Sequence, residues 1–359
     1  METKVNKNLF EGQSIYVGID CHKKNWKVTI LGEQYEHKTM SQDPNPDILS
    51  SYLKRNFPGA NYHAVYEAGF NGFDTCRQLR KSDINCSVIH PADVPTSERE
   101  KIQKTDPVDS RKLARSLRSK EFKAIHIPDS SLEADRALVR QRFRIMKDVT
   151  RMKNRVRSLL YQFNINVPDR FSSAQTRHWS GIYIKWLKEL PLGPESLRQT
   201  LDNYIHIGEI LRKELLLINR QVRNLSRIDR YRDNYNLLIT SPGIGLMTAM
   251  TFLVQIGDIR RFDRLDYLCA YIGLFPSMHG TGDKMHTGEM VKRGRKELKV
   301  MLIEAAWEAV RLDPAMMASF NVLSMRMNKN KAIIRIARKM VSRMRFMLLN
   351  QTVYQFSID

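Results

Sequence analysis

The stretch SIYVGIDCHKKNWKVTILG, residues 14–32, decides the fold of the first part of the chain. Two runs rich in β-branched and aromatic residues, 14–20 and 26–32, flank a short polar segment. This pattern is typical of two strands joined by a turn, and the first strand ends on an acid, Asp20. The stretch therefore predicts the beginning of an antiparallel sheet.

The alternation of strand and helix signals continues to about residue 130. The sequence predicts a strand at 35–40, a helix at 46–56, a strand at 62–68 (YHAVYEA), a helix at 73–82, a strand at 86–91 and a helix at 107–118. Antiparallel strands followed by strand–helix–strand units indicate a mixed sheet rather than a purely parallel one. We therefore expect an α/β domain over residues 1–129.

The remainder of the chain has helical periodicity. Two long runs, 131–163 and 195–228, predict a coiled-coil or helical-bundle arm within a second region, 130–234. A third region, 235–359, is mainly helical, with a Gly-rich polar loop predicted at 277–288. The fold class expected for the whole chain is therefore α/β followed by all-α.

The charge of the chain restricts its partners. Lys and Arg number 59 against 38 Asp and Glu, which gives a formal net charge of +21 and indicates a polyanionic partner. No apolar stretch approaches the ~20 residues needed to cross a bilayer, and no signal-peptide pattern is evident, so we expect no membrane partner. The four cysteines lack zinc-binding spacing and are expected to be reduced thiols in the cytoplasm.

Four acids form the candidate catalytic set. Asp20 and Glu67 each end a predicted strand, while Asp106 and Asp109 lie in KTDPVDSRKLA at a predicted helix start. Each acid alone has an ordinary interpretation, since an Asp N-cap before a Pro is common at the start of a helix. Together within one α/β unit they suggest ligands for one or two Mg²⁺ ions, which phosphodiester chemistry uses.

These motifs resemble a known family. YVGIDCHKKNWKV, YEAGFNG and KTDPVDSRKLA, followed by SPGIGLMTAMTFLVQIGDIRRF, YIGLFPSMHGTGDKMHTGEMVKRGRKELKVMLIEAAW and NKAIIRIARKM, are similar to the DEDD insertion-sequence transposases. These are bridge-RNA-guided recombinases related to the Piv-type DNA invertases. The resemblance covers nearly the whole chain except a variable stretch around 165–195. It implies a RuvC/ribonuclease-H-like catalytic domain and a C-terminal transposase domain.

The resemblance also implies an activity and its partners. A member of this family cuts and rejoins double-stranded donor and target DNA, guided by a structured non-coding RNA. Mg²⁺ is held by the acids Asp20, Glu67, Asp106 and Asp109, and the protein assembles as a homodimer or homotetramer in the prokaryotic cytoplasm, at the nucleoid. A serine in the C-terminal domain performs the covalent step.

This chain departs from the family at that serine. The family carries Ser-Ser-Gly a few residues after the Pro of its GLxP motif. In this sequence that stretch reads Pro276-Ser277-Met278-His279-Gly280-Thr281-Gly282, so Thr281 stands at the position of the nucleophilic serine. A threonine hydroxyl can attack a phosphodiester but is more hindered. Three interpretations stay open: Thr281 is the nucleophile, Ser277 has replaced it, or this step is impaired. His279 is a further candidate for proton transfer.

Basic segments predict the nucleic-acid surfaces. Ser241-Pro242-Gly243-Ile244-Gly245 resembles half of a helix-hairpin-helix motif, whose backbone N–H groups meet a phosphate. The candidate nucleic-acid-binding residues are Arg140, Arg144, Lys147, Arg151, Arg155, Lys292, Arg293, Arg295, Lys296, Arg335, Arg338 and Lys339.

Three alternatives remain at the level of sequence. The chain could be a metal-only junction-resolving nuclease, a DNA invertase of the Piv type, or a nucleic-acid-binding protein without catalytic activity. An SDS-stable protein–DNA adduct separates a covalent recombinase from the nuclease, and Mg²⁺-dependent strand cleavage excludes the non-enzymatic protein.

Overall fold

The computed structural model describes residues 10–94, 106–171, 179–281, 284–290 and 293–356, without the side chains of 106, 107, 277–281 and 284–289. The chain forms two compact units, Met1–Ile127 and Pro128–Asp359. The predicted helical region and the predicted C-terminal region both fall in the second unit, and the boundary between them stays a prediction. Among the described residues, no helix is both long and apolar enough to cross a bilayer.

The first unit is built on one mixed five-stranded sheet. Its strands are β1 (Ser14–Cys21), β2 (Trp26–Leu31), β3 (Glu36–Gln42), β4 (Asn61–Glu67) and β5 (Asn85–Ile89), in the order β3-β2-β1-β4-β5. The first three strands pair antiparallel, whereas β4 and β5 run parallel to β1. The predicted mixed sheet is confirmed, with strand ends within about two residues of those expected from the sequence.

Helices cover both faces of this sheet. On one face, α1 (Pro46–Asn56) and α2 (Asp74–Lys81) bury Leu49 and Leu79 against Ile15 and Ile19 of β1. On the other face lies α3, Asp106–Ser119. Its Leu113 packs against Val65. The alternation of side chains along β1 and β4 therefore supplies apolar groups to both helical layers.

Gly18 permits the close approach of α3 to the sheet. A Cβ atom at this position would lie 2.1 Å from the carbonyl oxygen of Ser110 and 2.4 Å from the amide nitrogen of Ala114. Thr29 lies on the neighbouring strand β2, and its hydroxyl oxygen forms a buried hydrogen bond of 2.9 Å with the hydroxyl oxygen of Ser110 on α3. The absence of a side chain at Gly18 and this bond together fix α3 directly over β1.

The second unit contains two long antiparallel helices, α4 (Ser130–Gln162) and α6 (Glu195–Leu225), as predicted. Arg142 Nε of α4 donates to Asn219 Oδ1 of α6 at 2.8 Å. Between them in sequence lies α5 (Gly181–Glu189), whose apolar side packs with the ends of both long helices. The stretch expected to be variable therefore contributes an apolar cluster of its own.

The remaining helices pack around one buried element. α7 (Asp229–Leu238), α8 (Leu246–Ile256), α9 (Leu265–Ile272), α10 (Lys296–Leu312), α11 (Pro314–Arg326) and α12 (Lys329–Asn350) form this part. Every residue of α8 from Thr248 to Ile256 is buried, so α8 is the centre of the core. Leu132 and Val139 of α4 belong to the same core, which joins the long helix to the C-terminal helices.

The predicted polar loop at 277–288 is wrong. The chain instead forms a hairpin of β6 (Pro276–Thr281) and β7 (Lys284–Met290). Gly280 and Gly282 had suggested irregular backbone, but two short runs separated by only Gly282-Asp283 have the spacing of a β-hairpin. Gly282 and Asp283 themselves lie outside the described residues.

Candidate active site and nucleic-acid surfaces

Asp20 and Glu67 lie at the same end of two adjacent strands. β1 and β4 are parallel, with Ile19 opposite Tyr66, so the next residue on each strand is Asp20 and Glu67 respectively. Ile19 and Tyr66 face the core formed with α1 and α2. Because side chains alternate along a strand, both acids belong to the opposite face, which α3 covers. Neighbouring strands are about 4.8 Å apart, so these two carboxylates originate from adjacent backbone positions.

Helix α3 directs its first turn to the same end of the sheet. Ser110 and Ala114 pack on Gly18, two residues before Asp20, and Lys120 after the helix lies near His63 at the start of β4. The helix therefore runs antiparallel to β1, with its first residue, Asp106, toward the strand ends. The side chain of Asp106 is outside the described residues.

Asp109 lies one helical turn before Leu113, which packs on Val65 of β4. It therefore occupies the flank of α3 that faces β4, the strand that ends in Glu67. The four acids selected from the sequence thus share one end and one face of the sheet. Their roles as ligands stay a prediction.

An ion pair holds the exposed side of α3. Arg111 Nε donates to Glu36 Oε2 of β3 at 2.8 Å, and this contact lowers the pKa of Glu36 below its usual value. Both side chains are one-third exposed, so the pair is worth about 1 kcal/mol or less. The position of α3 depends mainly on its close packing with Gly18.

The surroundings of Asp20 are polar but partly enclosed. Asp20 is 22% exposed, and its Oδ2 atom lies 3.1 Å from Nε2 of His22. Burial, and then the negative charge of Asp20, raises the pKa of the neighbouring Cys21 thiol to about 12. Cys21 therefore remains a protonated thiol at neutral pH. It is a poor candidate for the nucleophile, because the attacking form of cysteine is the thiolate.

The donor chemistry of the four acids fits a hard divalent cation, because Mg²⁺ is bound through carboxylate oxygens. Among the described side chains, no group of three or more His, Cys, Asp or Glu residues is arranged to hold a metal ion. Asp20, Glu67 and Asp109 are among these side chains, so the three do not converge as a metal site in this structure, and only their position toward one end of the sheet is observed. The side chain of Asp106 lies outside the described residues.

The two candidate nucleophiles, Ser277 and Thr281, lie at opposite ends of strand β6 in the hairpin β6–β7. Pro276 pairs with Met290 at its base, and Thr281 pairs with Lys284 at its tip. At about 3.3 Å per residue, Thr281 lies roughly 13 Å farther from the base than Ser277 does. Their side chains, and that of His279, are outside the described residues.

Two glycines close the base of this hairpin. Gly273 has φ +92° and Gly294 has φ +121°, values that favour glycine. A Cβ at Gly273 would lie 2.6 Å from the carbonyl oxygen of Arg293, and one at Gly294 would lie 2.6 Å from that of Ile272. The two chain segments entering and leaving the hairpin are thus held in direct backbone contact.

The Ser241–Gly245 segment joins α7 to α8 in a tight turn, as the sequence resemblance to a helix-hairpin-helix predicts. Gly243 has φ +79°, and a Cβ there would meet the Ala305 carbonyl oxygen at 2.3 Å. No side chain caps the start of α8 at Gly245. A cavity of about 510 Å³ is lined by residues 239–245 with Leu312 and Phe356. A phosphate at this turn stays a proposal.

Helix α4 presents a continuous basic face. Five exposed residues recur at helical spacing and form what we call the basic stripe: Arg140, Arg144, Lys147, Arg151 and Arg155. At 1.5 Å per residue the stripe is about 22 Å long. Within it, Lys147 pairs with Glu297 at 3.2 Å and Arg151 with Asp148 at 2.7 Å, and both pairs are exposed. Exposed pairs of this kind contribute little, so the stripe remains open to an anionic partner.

The other predicted basic residues divide into two groups. Arg293, Lys296 and Arg335 are exposed. Arg338 instead donates to the Leu274 carbonyl oxygen and to Asp266 Oδ1, both at 2.9 Å, and Lys339 donates to Ser319 Oγ at 2.7 Å. Arg338 and Lys339 thus have contacts within the fold. Lys292 lies outside the described residues.

The fold gathers four arginines around Tyr271; the sequence analysis selects two of them, Arg140 and Arg295, as nucleic-acid-binding residues but misses the group as a whole. We call it the arginine cluster: Arg136, Arg140, Arg261 and Arg295. Arg295 Nη2 donates to Tyr271 Oη at 2.9 Å, and Arg261 lies 4.5 Å from the centre of the tyrosine ring. Its members come from three separate segments, so no run of basic residues signals it in the sequence.

Comparison with known proteins decides the family. The DEDD transposase model of the IS110 type, described as a transposase, matches residues 17–165, which include all four acids. A second model, described as the transposase IS116/IS110/IS902 family, matches residues 235–321, from α7 into α11. The chain belongs to the IS110/IS116/IS902 family of transposases. It is therefore an enzyme that cuts and rejoins DNA, and the family inferred from the motifs is confirmed.

Individual relatives agree with this assignment. The chain is 26% identical to the transposase for insertion sequence element IS1533 of Leptospira borgpetersenii, over 82% of this chain and 85% of that protein. It is 26% identical to the putative transposase y4rJ of Sinorhizobium fredii, over 91% and 90%. An uncharacterized 43.6 kDa protein of insertion element IS110 from Streptomyces coelicolor is 24% identical, over 70% and 72%. These matches extend over most of both chains, so the IS110-family assignment applies to more than one isolated domain.

Proposed function

We propose that this IS110-family transposase is an RNA-guided DNA recombinase whose RuvC-like first unit binds Mg²⁺ and whose C-terminal hairpin supplies a hydroxyl nucleophile. The observation that carries the proposal is the register of β1 and β4, which places Asp20 and Glu67 at adjacent backbone positions. Helix α3, which begins at Asp106 and contains Asp109, covers the same face of the sheet. Each acid alone has an ordinary structural interpretation, but four of them in one α/β unit of so basic a protein make a candidate functional site.

The four acids would hold the cation in this proposal. Bound there, Mg²⁺ would polarise a scissile phosphate and neutralise charge that develops on it. The protein itself contributes the fixed spacing of the acids, since α3 is set against β1 by Gly18 and the Thr29–Ser110 hydrogen bond. Rigid second-layer contacts of this kind keep ligands in a productive arrangement.

Thr281 is the proposed nucleophile, because it aligns with the family serine and ends strand β6 at the tip of the hairpin. Its oxygen would bond to phosphorus while one deoxyribose–oxygen bond to phosphorus breaks. The displaced sugar oxygen would take up a proton, and Thr281 would give up its own. Reversal of these steps with a different strand end would rejoin the DNA.

The basic surfaces would bind the RNA and both DNA duplexes. The basic stripe of α4 suits a duplex backbone recognised by shape and phosphate position, as expected where base pairing with RNA supplies the sequence specificity. The turn at Ser241–Gly245 would meet another phosphate with backbone N–H groups. We further propose a homodimer or homotetramer that acts in the bacterial cytoplasm, where donor and target DNA lie.

A covalent-adduct assay tests this function. Purified protein, its element-derived RNA, Mg²⁺ and labelled donor DNA are incubated, then denatured with SDS and resolved by electrophoresis. We expect a protein–DNA adduct with the wild type and with Thr281→Ser, none with Thr281→Ala, and an undiminished adduct with Ser277→Ala.

The outcomes distinguish the alternatives. An adduct that persists in Thr281→Ala and disappears in Ser277→Ala would transfer the role to Ser277. Mg²⁺-dependent cleavage without any adduct would contradict the covalent mechanism and favour a metal-only nuclease. Loss of cleavage in Asp20→Asn with RNA binding retained is expected in either enzymatic case.

A further inference from the structure

The arginine cluster carries more positive charge than its surroundings neutralise. Arg136 Nε and Nη2 donate to the carbonyl oxygens of Val254 and Gln255 at 2.6 and 2.9 Å, and Arg261 Nε donates to that of Ile256 at 2.8 Å. These carbonyls end helix α8, and a helix C-terminus presents only about half a negative charge. Asp258 and Glu297 lie near enough to act on Arg261 and Arg140 respectively, but within the described part of the chain no carboxylate forms an ion pair with any of the four guanidinium groups.

The electrostatics of the cluster reflect this deficit. Arg136 is only 5% exposed, and burial, followed by the charges of neighbouring arginines, lowers the pKa of its guanidinium. Burial would raise the pKa of Tyr271, but Arg295, Arg136 and Arg261 outweigh it and leave that pKa below the usual value of tyrosine. The cluster therefore favours additional negative charge at its centre.

One donor in the cluster has no acceptor. Arg261 Nη2 is buried and makes no hydrogen bond to any described residue. A buried donor without a partner is costly, at about 1–3 kcal/mol, and is rare in folded proteins. Arg140, in contrast, is exposed and makes only a long contact of 3.4 Å to Gln255 Oε1. The cluster thus combines an unsatisfied buried donor with a guanidinium that solvent reaches.

The cluster lies at the base of the β6–β7 hairpin. Tyr271 is two residues before Gly273, Arg295 directly follows Gly294, and the Arg295 amide donates to the Ile272 carbonyl oxygen at 3.0 Å. A ligand held by Arg261 and Arg295 would therefore sit beside the backbone contact from which the hairpin projects. This hairpin carries the proposed nucleophile Thr281.

We propose that the arginine cluster is a phosphodiester-binding site that holds a backbone phosphate of the DNA strand engaged by the β6–β7 hairpin. Guanidinium groups bind phosphate oxygens in a bidentate manner. Arg261 lies over the rings of Phe262 and Tyr271, and its Nη2 atom, which has no partner among the described residues, would be one of the donors. Tyr271 fixes Arg295 through its hydroxyl and is a positioning residue. The proposal rests on the proposed function, since it takes its ligand from the DNA substrate.

Salt-dependent DNA binding tests the site. The affinity of the full-length protein for a labelled short DNA duplex is measured by fluorescence anisotropy over a range of salt concentrations. We expect Arg261→Gln and Arg295→Gln, two cluster positions outside the basic stripe, each to bind about tenfold more weakly, as loss of a charged hydrogen bond implies. Each substitution should also reduce the slope of log affinity against log salt by about 0.9, the value for one phosphate contact on duplex DNA.

Two further variants separate binding from folding. Arg220→Gln changes the same charge on an exposed part of α6 and should match the wild type. Arg261→Lys keeps the charge and should retain the salt slope while losing part of the affinity. Because Arg295 is only partly buried and bonds the Tyr271 hydroxyl rather than the end of α8, Arg295→Gln still tests the site if Arg261→Gln proves too unstable to assay.

The results distinguish this inference from the function on which it rests. Wild-type affinity and slope in both Arg261→Gln and Arg295→Gln would limit these arginines to contacts within the fold and overturn the phosphate site alone. Failure of the wild type itself to bind the duplex would overturn the phosphate site, whereas the adduct assay, which contains the RNA, decides the proposed function.

Discussion

Replacing Gly18 by alanine is the most direct test of how the fold positions the acids. The new Cβ would lie 2.1 Å from the Ser110 carbonyl oxygen, whereas ordinary contacts begin near 3.4 Å, so α3 must move away by roughly 1.3 Å. Both close atoms belong to the helix backbone and have no rotamer to escape into. Overpacking of this kind costs about 1–3 kcal/mol. Alanine's lower entropy in the unfolded chain offsets at most about 1 kcal/mol.

Hydrogen–deuterium exchange of the full-length protein measures this effect locally. A loss of about 2 kcal/mol corresponds to roughly thirtyfold faster exchange of the amides in β1 and α3. Because Asp109 moves with α3, Mg²⁺-dependent strand cleavage should fall by about a hundredfold, the typical result of a displacement near 1 Å. Gly69→Ala is the stability control, since its Cβ meets nothing closer than 3.6 Å. Unchanged exchange in α3 of Gly18→Ala would refute the proposed packing.

Three other predictions concern stability and reactivity. Arg343→Met should destabilise the second unit by about 3 kcal/mol in urea unfolding, because Asp313 is fully buried and Arg343 Nη1 is 2.8 Å from its carboxylate; a change below 1 kcal/mol would contradict this. Burial alone would raise the pKa of Asp313, but hydrogen bonds from Tyr354 and two backbone amides, together with the charge of Arg343, lower this pKa overall. The ionised carboxylate therefore stabilises the fold fully above the ordinary carboxyl pKa. That stabilisation is lost as the pH falls through the lowered pKa of the folded protein. Urea unfolding at pH 3 and pH 7 should therefore show a smaller acid loss in Asp313→Asn than in the wild type. Cys21, with a pKa raised to about 12, should react with iodoacetamide far more slowly than a free thiol at pH 8, and rapid labelling would contradict the partial burial that raises this pKa.

The sequence predicted those parts of the fold that depend on local patterns. Short runs of β-branched and aromatic residues identified β1 to β5, and apolar periodicity identified the long helices α4 and α6. The hairpin β6–β7 was missed because its glycines outweighed the two-residue spacing between its strands.

In the candidate site too, features with a local sequence pattern were predicted, and features that depend on long-range packing were not. Strand-end acids and an acidic helix start can be recognised in sequence, but the register that makes Asp20 and Glu67 neighbours depends on long-range pairing. The arginine cluster has no local signal, since Arg136, Arg261 and Arg295 meet only through the packing of α4, α8 and α10. Arg338 resembles its basic neighbours in sequence, yet its contacts with Leu274 and Asp266 engage it within the fold.

The central claim is that the four acids bind a divalent cation at one edge of the sheet, and Mn²⁺ binding followed by electron paramagnetic resonance tests it without any need for activity. We expect the wild type to bind one or two Mn²⁺ ions in competition with Mg²⁺. Asp20→Asn and Glu67→Gln should each weaken this binding at least tenfold, while Glu36→Gln, on β3 and paired with Arg111, should leave it unchanged. Equal Mn²⁺ affinity in the wild type and in both Asp20→Asn and Glu67→Gln would contradict the account.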